Sequence, residues 1–389
     1  MRLACVYPEH LGEPQARVLQ TAATVAALAR QGAQVHLLTG WFRGLPDRLA
    51  QLGLAGLAGL RVEALPMCRP GPGLRLPFGW GGAFHLAALG RLRRLARQGL
   101  AAVWVRHLKL ADYLLAHGLT TPLLYEAHEF FARTAQEEGA DAAKVAALGE
   151  QEQRVLRGAA RVAAISRPLA RDLEALPGVP QPVVVAPSGV DQAFFRLPQD
   201  RREPDLVAYA GGLSPWKGVD LLLKAAALLP QARVEVLGGR PGSADWRRLE
   251  GLAGELGLAP PRLLLRPRAG QDAVGELLAR ASVAVWPGSG QQAIARDYTS
   301  PLKLFEYLAS GAAVAAPRLP AAQSVLSEGE DARLFTPDDP AALAEALAGL
   351  LADAGVARRL GERGRELALT YTWDARARVL LGALETLTP

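Results

Sequence analysis

The stretch "SPLKLFEYLASGAAVAA", residues 300–316, decides the fold. Residues 301–310 carry the apolar spacing of a helix, and "AAVAAP" at 312–317 is a short apolar run of the kind a fully buried strand shows. Lys303 and Glu306 do not suit such an interior. Ser300 reads as a helix cap and Pro301 as the first helical residue, where a missing N–H costs nothing. A helix that starts there points unpaired amides and its positive dipole end at whatever lies in front of it, a ready anion site. Lys303 adds a full charge at that end, where the dipole disfavours a cation and a bound anion reverses the penalty. Glu306, one turn deeper, is placed to accept hydrogen bonds from hydroxyls. An exposed Lys–Glu pair at i,i+3 is the plain alternative.

Outward from this stretch the same alternation repeats. In the first half, strands are expected at "RLACVY", "AQVHLL", "LRVEAL", "AAVWV", "PLLYE", "ARVAAIS" and "PVVVAP", with helices at 14–31, 82–98, 109–117 and 141–157. After a Pro- and charge-rich linker near 188–204 the pattern restarts: "LVAYAG", "RVEVLGG", "RLLLRP", "SVAVWPG" and "AAVAAP" alternate with helices at 218–229, 244–257, 271–280 and 301–310. This predicts two doubly wound α/β domains in tandem, each around a largely parallel sheet. Ligands of such sheets sit beyond the carboxyl ends of the strands.

Composition bounds the function. The 389 residues are half hydrophobic and one-fifth charged, so a substantial core is available. The opening "MRLACVYPEH" reads as a strand rather than a secretory leader, and no apolar run reaches the length of a membrane span, so a cytoplasmic location is expected. Cys5 and Cys68 are too few for a disulfide framework or a thiolate cage. The formal charge of +6 suits anionic small molecules or lipid headgroups, and an ordinary solvated surface equally well. Only 5 of the 44 basic residues are lysine. Lys217 and Lys303 both fall at helix entrances of the second domain, where a compact ammonium serves differently from a guanidinium.

Lys217 belongs to "AYAGGLSPWKGVDLLLKAA", residues 208–226. A strand ends in Gly211-Gly212, a turn runs through Ser214-Pro215, and Lys217-Gly218 opens the next helix, where a phosphate would be held. Together with "LRPRAGQDAVGELLARASVAVWPGS", "TSPLKLFEYLASGAAVAA", "YTWDARARVLLGAL", "YEAHEFF" and "PSGVD", this set resembles the family-4 retaining glycosyltransferases of GT-B fold, over nearly the whole chain.

The resemblance implies two Rossmann-like α/β domains facing each other across a deep cleft: residues 1–188 on the acceptor side, joined by a C-terminal helix at 374–389, and residues 189–373 binding the nucleotide sugar. It implies transfer of a sugar from a nucleoside diphosphate to an acceptor hydroxyl of a glycan, lipid or small molecule. His128, Lys217 and Glu306 would be catalytic: His128 beside the reacting sugar as a hydrogen-bond donor, Lys217 on the diphosphate, Glu306 on the ribose. Gly211, Gly212, Arg268, Ala269, Asp297, Tyr298, Thr299, Ser300, Pro301, Leu302 and Lys303 would line the donor, with Arg268-Ala269 near the base. Gly12 and Glu13 resemble a loop that closes over the substrates.

The chain departs from the family pattern at two places. Members often carry two glutamates separated by seven residues, and the first falls on Tyr298 here; Asp297, one place earlier, could supply a carboxylate only if the loop is reshaped. A usual basic residue after the strand-end glycine is Gly212. These departures leave the donor sugar open and keep two rivals in play, an inactive sugar-nucleotide-binding protein and a sugar-nucleotide epimerase of similar shape. No cofactor or metal site is expected, because His10, His36, His85, His107, His117 and His128 form no ligand pattern. The sequence after the first strand lacks G-x-G-x-x-G, which speaks against a dinucleotide enzyme, and no nucleic-acid partner is expected. The helix at 84–97 sets Arg91, Arg93, Arg94 and Arg97 opposite an apolar face. That suits either a cover for the sheet or peripheral contact with the inner membrane surface.

Overall fold

The computed structural model describes residues 1–12, 15–67 and 82–387, which divide into two units. One comprises Met1–Gly189 with Trp373–Pro389, the other Val190–Thr372.

In the first unit the apolar runs become β1 (Arg2–Tyr7), β2 (Gln34–Gly40), β3 (Leu60–Leu65), β4 (Ala102–Val105), β5 (Leu123–Ala127), β6 (Arg161–Ala164) and β7 (Val184–Val185). All pair in parallel, in the order β3-β2-β1-β4-β5-β6-β7. The order reverses between β1 and β4, and β4 is apolar and buried throughout, as a strand covered on both faces must be. The expected strand "PVVVAP" shrinks to two residues, because Pro182 and Pro187 at its ends have no N–H to give a ladder. Helices Ala16–Arg30, Gly82–Ala96, Leu108–Ala116, Ala142–Gly158 and Arg167–Glu174 accompany the sheet. Helix Gly82–Ala96 buries Phe84, Ala88, Leu89, Leu92 and Leu95, and Arg91 grips Glu63 of β3 through two nitrogens, both at 2.5 Å. Its apolar face therefore covers the first unit.

The last helix, Trp373–Glu385, also belongs to this unit. It buries Trp373, Ala377, Leu380 and Leu384 and carries Arg376, only 3 % exposed, into the interior. There Arg376 donates to Glu126 Oε2 at the end of β5 (2.5 Å), to Thr24 Oγ1 (3.1 Å), and to the carbonyls of Ala186 and Pro187. Glu126 is fully buried, and burial alone would lift its carboxyl. Arg376 and His128 outweigh that and hold it at about 2.

The second unit contains β8 (Glu203–Ala210), β9 (Arg233–Leu237), β10 (Leu263–Arg266), β11 (Ala281–Val285), β12 (Ala313–Pro317) and β13 (Arg333–Phe335), in the parallel order β10-β9-β8-β11-β12-β13. Strand periodicity splits its core in two. Val207, Tyr209, Val234, Val236, Val283 and Val285 face helices Val219–Ala227, Ala244–Glu255 and Pro340–Ala352. Leu206, Ala208, Ala210, Ala284, Val314 and Ala316 face helices Gln271–Arg280 and Leu302–Ser310. The strand order reverses between β8 and β11, so their carboxyl ends are the place for a ligand.

Elements not expected include β13, at three residues too short to show a period, helices Pro340–Ala352 and Ala354–Ala368, and in the first unit helix Arg167–Glu174. One expectation needs correction. The helix after Ser300 begins at Leu302; Pro301 occupies the cap position in an extended conformation, and no side chain caps the first turn.

Replacing Arg376 by leucine strands the Glu126 charge in the interior. The Arg376→Leu variant is expected to lose about 3–5 kcal/mol of stability in urea denaturation, and the double variant with Glu126→Leu to lose clearly less. Equal losses would show that the arginine acts by packing alone.

Candidate functional site

The second unit builds its site around glycines at the sheet reversal. β8 runs into Gly211 and Gly212, and the chain then makes a tight 3-10 turn at Pro215–Lys217. Gly218 follows with φ +75°, and a side chain there would strike the carbonyl of Pro287, just past the end of β11. Only glycine allows both the backbone angle and the close approach. The turn is thereby pressed against the β11 loop, where Ser289 N donates to Trp216 O (3.2 Å).

Lys217 and Lys303 meet at this point. Lys217 lies over the Trp216 ring, with Nζ 3.4 Å from its centre, and burial pushes its ammonium down to about 8. Lys303 is 8 % exposed; its Nζ donates to Tyr209 Oη (2.5 Å), 4.0 Å from the centre of that ring. Tyr209 Oη in turn donates to Gly212 O (2.6 Å), and a side chain on Gly211 would run into Lys303 Nζ. Among the described residues neither lysine lies within ion-pair distance of a carboxylate. Burial, then the charge of Lys217, hold Lys303 well below the usual lysine range, against the pull of Glu306. Two lysines near the end of β8 without a carboxylate in ion-pair reach make an anion site.

Glu306, three residues along the same helix, is part-buried and accepts from Gln271 Nε2 (3.1 Å). Loss of surrounding water pushes its carboxyl up to about 7, while the Gln271 bond and Lys303 oppose the rise. Arg268 and Ala269 are exposed just past β10, and Arg268 N donates to Gly239 O (3.0 Å). Tyr298 is buried at the end of the π-turn Ile294–Tyr298. Asp297 is held by Arg296 (2.9 Å). Thr299, Ser300 and Leu302 are part-buried around the start of the helix that carries Lys303 and Glu306. Lys217, Lys303, Gly211 and Gly212 thus gather at the end of β8, while the carboxylate of Asp297 is spent on its neighbour.

In the first unit His128 sits just past β5, with both ring nitrogens engaged. Nε2 faces Glu126 Oε1 (2.7 Å), and Nδ1 faces Arg106 Nη2 (3.2 Å). The ionised carboxylate can only accept and the guanidinium can only donate, so the proton is on Nε2. Burial, reinforced by Arg106, pushes the imidazole down to about 4. Donation to a sugar would require the ring to leave Glu126. Gly12 N donates to His10 Nδ1 (3.2 Å) in the loop after β1; Glu13 lies outside the described residues, as does Cys68. Among the described residues no three His, Cys, Asp or Glu side chains cluster as metal ligands, and no single helix is long and apolar enough to cross a membrane.

Tyr209, Gln271, Arg106 and Arg376 were not singled out from the sequence. Tyr209 reads as one more apolar strand residue, and Gln271 as an ordinary first-turn helix residue. Arg106 and Arg376 are two among 39 arginines. A bulky phenol two residues before the Gly-Gly strand end was the one usable signal.

Residues 204–353 match the family described as "Glycosyl transferases group 1", and residues 20–194 the family described as "Glycosyltransferase Family 4". A D-inositol 3-phosphate glycosyltransferase of Stackebrandtia nassauensis is 31% identical over 223 residues, covering 52% of this chain and 48% of its own. A protein of the same name from Corynebacterium glutamicum is 34% identical over 179 residues, covering 44% and 41%. The chain spans about half the length of the curated relatives it matches. Among solved structures, the sucrose-phosphate synthase of Thermosynechococcus elongatus superposes with a TM-score of 0.76 at 21% identity, covering 99% of this chain and 98% of its own. Anabaena HepE in complex with UDP-glucose gives 0.73 at 15% identity, covering 99% and 100%. These likenesses establish the GT-B fold.

A lysine buried without a counter-charge is a liability for stability, whether it stays an ammonium or is forced to a neutral amine. Lys303→Met keeps the stem, and Tyr209 keeps its bond to Gly212. The unliganded variant is expected to gain about 1–3 kcal/mol, a rise in Tm of about 2–8 °C by calorimetry at pH 7. A lower Tm would mean that the ammonium is structural.

Proposed function

Because this chain belongs to the group 1, family 4 glycosyltransferases, we propose that it transfers a sugar from a nucleoside diphosphate to an acceptor hydroxyl, with retention of anomeric configuration. The observation that carries this reading is the placing of Lys217 and Lys303 at the end of β8, two lysines without a carboxylate partner. As the glycosyl–oxygen bond breaks, negative charge grows on the departing diphosphate. Ammonium groups held against the bound diphosphate in a water-poor site stabilise that charge. Glu306 accepts from the two ribose hydroxyls through the oxygen that Gln271 leaves open. The acceptor hydroxyl attacks on the face the diphosphate leaves, and its proton passes to the leaving phosphate oxygen.

Anabaena HepE, solved with UDP and with UDP-glucose, supports a nucleotide-sugar donor. The relatives named for D-inositol 3-phosphate support a small polyhydroxylated acceptor, held by the first unit. We place the reaction in the cytoplasm.

Thermal-shift titration with UDP-, GDP- and ADP-glucose tests the donor class, since binding raises Tm by mass action. Failure of all three would sink the reading. With the donor that binds, Lys217→Ala is expected to lose about 1.5–3 kcal/mol of affinity, the scale of a charge-assisted hydrogen bond, with the fold intact; an unchanged affinity would remove Lys217 from the site. Proton NMR of the first-formed product should show the donor's anomeric configuration.

Lys217 and Lys303 supply the positive charge a divalent cation would otherwise bring. Transfer is therefore expected to survive exhaustive EDTA treatment. Loss of activity restored by Mg²⁺ or Mn²⁺ would count against this assignment.

A further inference from the structure

We propose that Tyr209 is a positioning residue that holds Lys303 at the end of β8, and that diphosphate binding draws a proton from solution onto Lys303. The inference rests on the donor site proposed above and adds to it a chemical step in binding.

The geometry is specific. Lys303 Nζ reaches back from the first turn of its helix to the end of β8, where Tyr209 Oη accepts its hydrogen bond at 2.5 Å. The phenol is fully buried and cannot drift, because its own proton is committed to Gly212 O (2.6 Å). The charged groups facing Lys303 are Lys217, from the 3-10 turn, and Glu306, from its own helix; the phenols are Tyr209 and Tyr307. Tyr307 Oη is occupied by the backbone of Ala210. Lys303 therefore has one neutral oxygen for a partner and a second ammonium for a neighbour. In the empty unit that arrangement favours the neutral amine. A diphosphate brings two negative charges to the same place, which reverses the preference. The proton comes from the buffer, the amine becomes an ammonium, and no other bond changes.

The sign follows from linkage. A group protonated more readily in the complex than in the free protein makes affinity rise as pH falls. Affinity rises until the free amine is itself protonated. Lys217, at about 8, is already largely charged at pH 7 and contributes little there. Glu306, at about 7, titrates in the same range and has to be separated by mutation.

The experiment is calorimetric titration of the full chain at pH 7 with whichever of UDP-, GDP- and ADP-glucose binds. These are diphosphate diesters, with no phosphate proton to exchange near neutrality. Repeating the titration in buffers of different ionisation enthalpy counts the protons. The wild type is expected to take up a measurable fraction of a proton at pH 7, where Lys217 is already largely charged, and to bind more tightly as pH falls. Glu306→Gln should keep the uptake, and Lys303→Arg, whose guanidinium stays charged, should abolish it. Tyr209→Phe should move the affinity profile to lower pH, whereas a merely structural role would weaken binding equally at every pH. Binding by the wild type without proton uptake overturns the proposal and leaves the donor site standing. So does uptake lost in Glu306→Gln or retained in Lys303→Arg. Absence of binding by all three donors would instead remove the reading on which it rests.

Discussion

Desolvation of a lysine is the constraint around which the second unit is arranged. An ammonium leaves water only at a cost of several kcal/mol unless a counter-charge meets it. Here one is carried inside on a helix and given a phenol instead of a carboxylate. Its surroundings serve that placement. Gly211 leaves room for Nζ, Gly218 presses the Lys217 turn against the end of β11, and Tyr209 anchors to Gly212. Each would be an odd choice for stability alone. Together they keep positive potential fixed where a strand order reverses, the position at which open parallel sheets accept ligands.

The first unit solves the opposite problem. Its buried charge is negative and fully compensated: Glu126 receives Arg376, Trp104 Nε1 (3.0 Å) and His128. The difference is chemical in consequence. A satisfied carboxylate stays ionised and fixes its neighbours, so His128 is locked in one tautomer between Glu126 and Arg106. An unsatisfied ammonium responds to what arrives. One unit is therefore rigid in its protonation at neutral pH, and the other is adjustable.

The sheets, most helices and the two lysines were legible because their signals are local. Apolar runs such as "AAVWV" and "SVAVW" announce buried strands, and a lysine is conspicuous in a chain that writes arginine almost everywhere else. The partners of those residues were not legible. The Tyr209–Lys303 bond joins residues 94 apart, and the Arg376–Glu126 pair joins residues 250 apart. No periodicity links such positions. Likewise the cap of helix Leu302–Ser310 was misjudged by one residue, because Ser300 is a good cap by type and only the backbone shows that the chain is still extended at Pro301.

The place of Arg376 in the chain has a consequence for how the protein is made. A polypeptide leaves the ribosome from its amino end, and domains ordinarily fold in that order. Here the second unit is one continuous segment, Val190–Thr372, while the first is interrupted by it and completed only by Trp373–Pro389. Until residue 376 emerges, the carboxylate of Glu126 lacks its directly bonded guanidinium and has only Trp104, His128 and the more distant charge of Arg106. The later-synthesised unit is thus free to finish first, and the earlier one waits with its central strands unsealed for nearly half of translation.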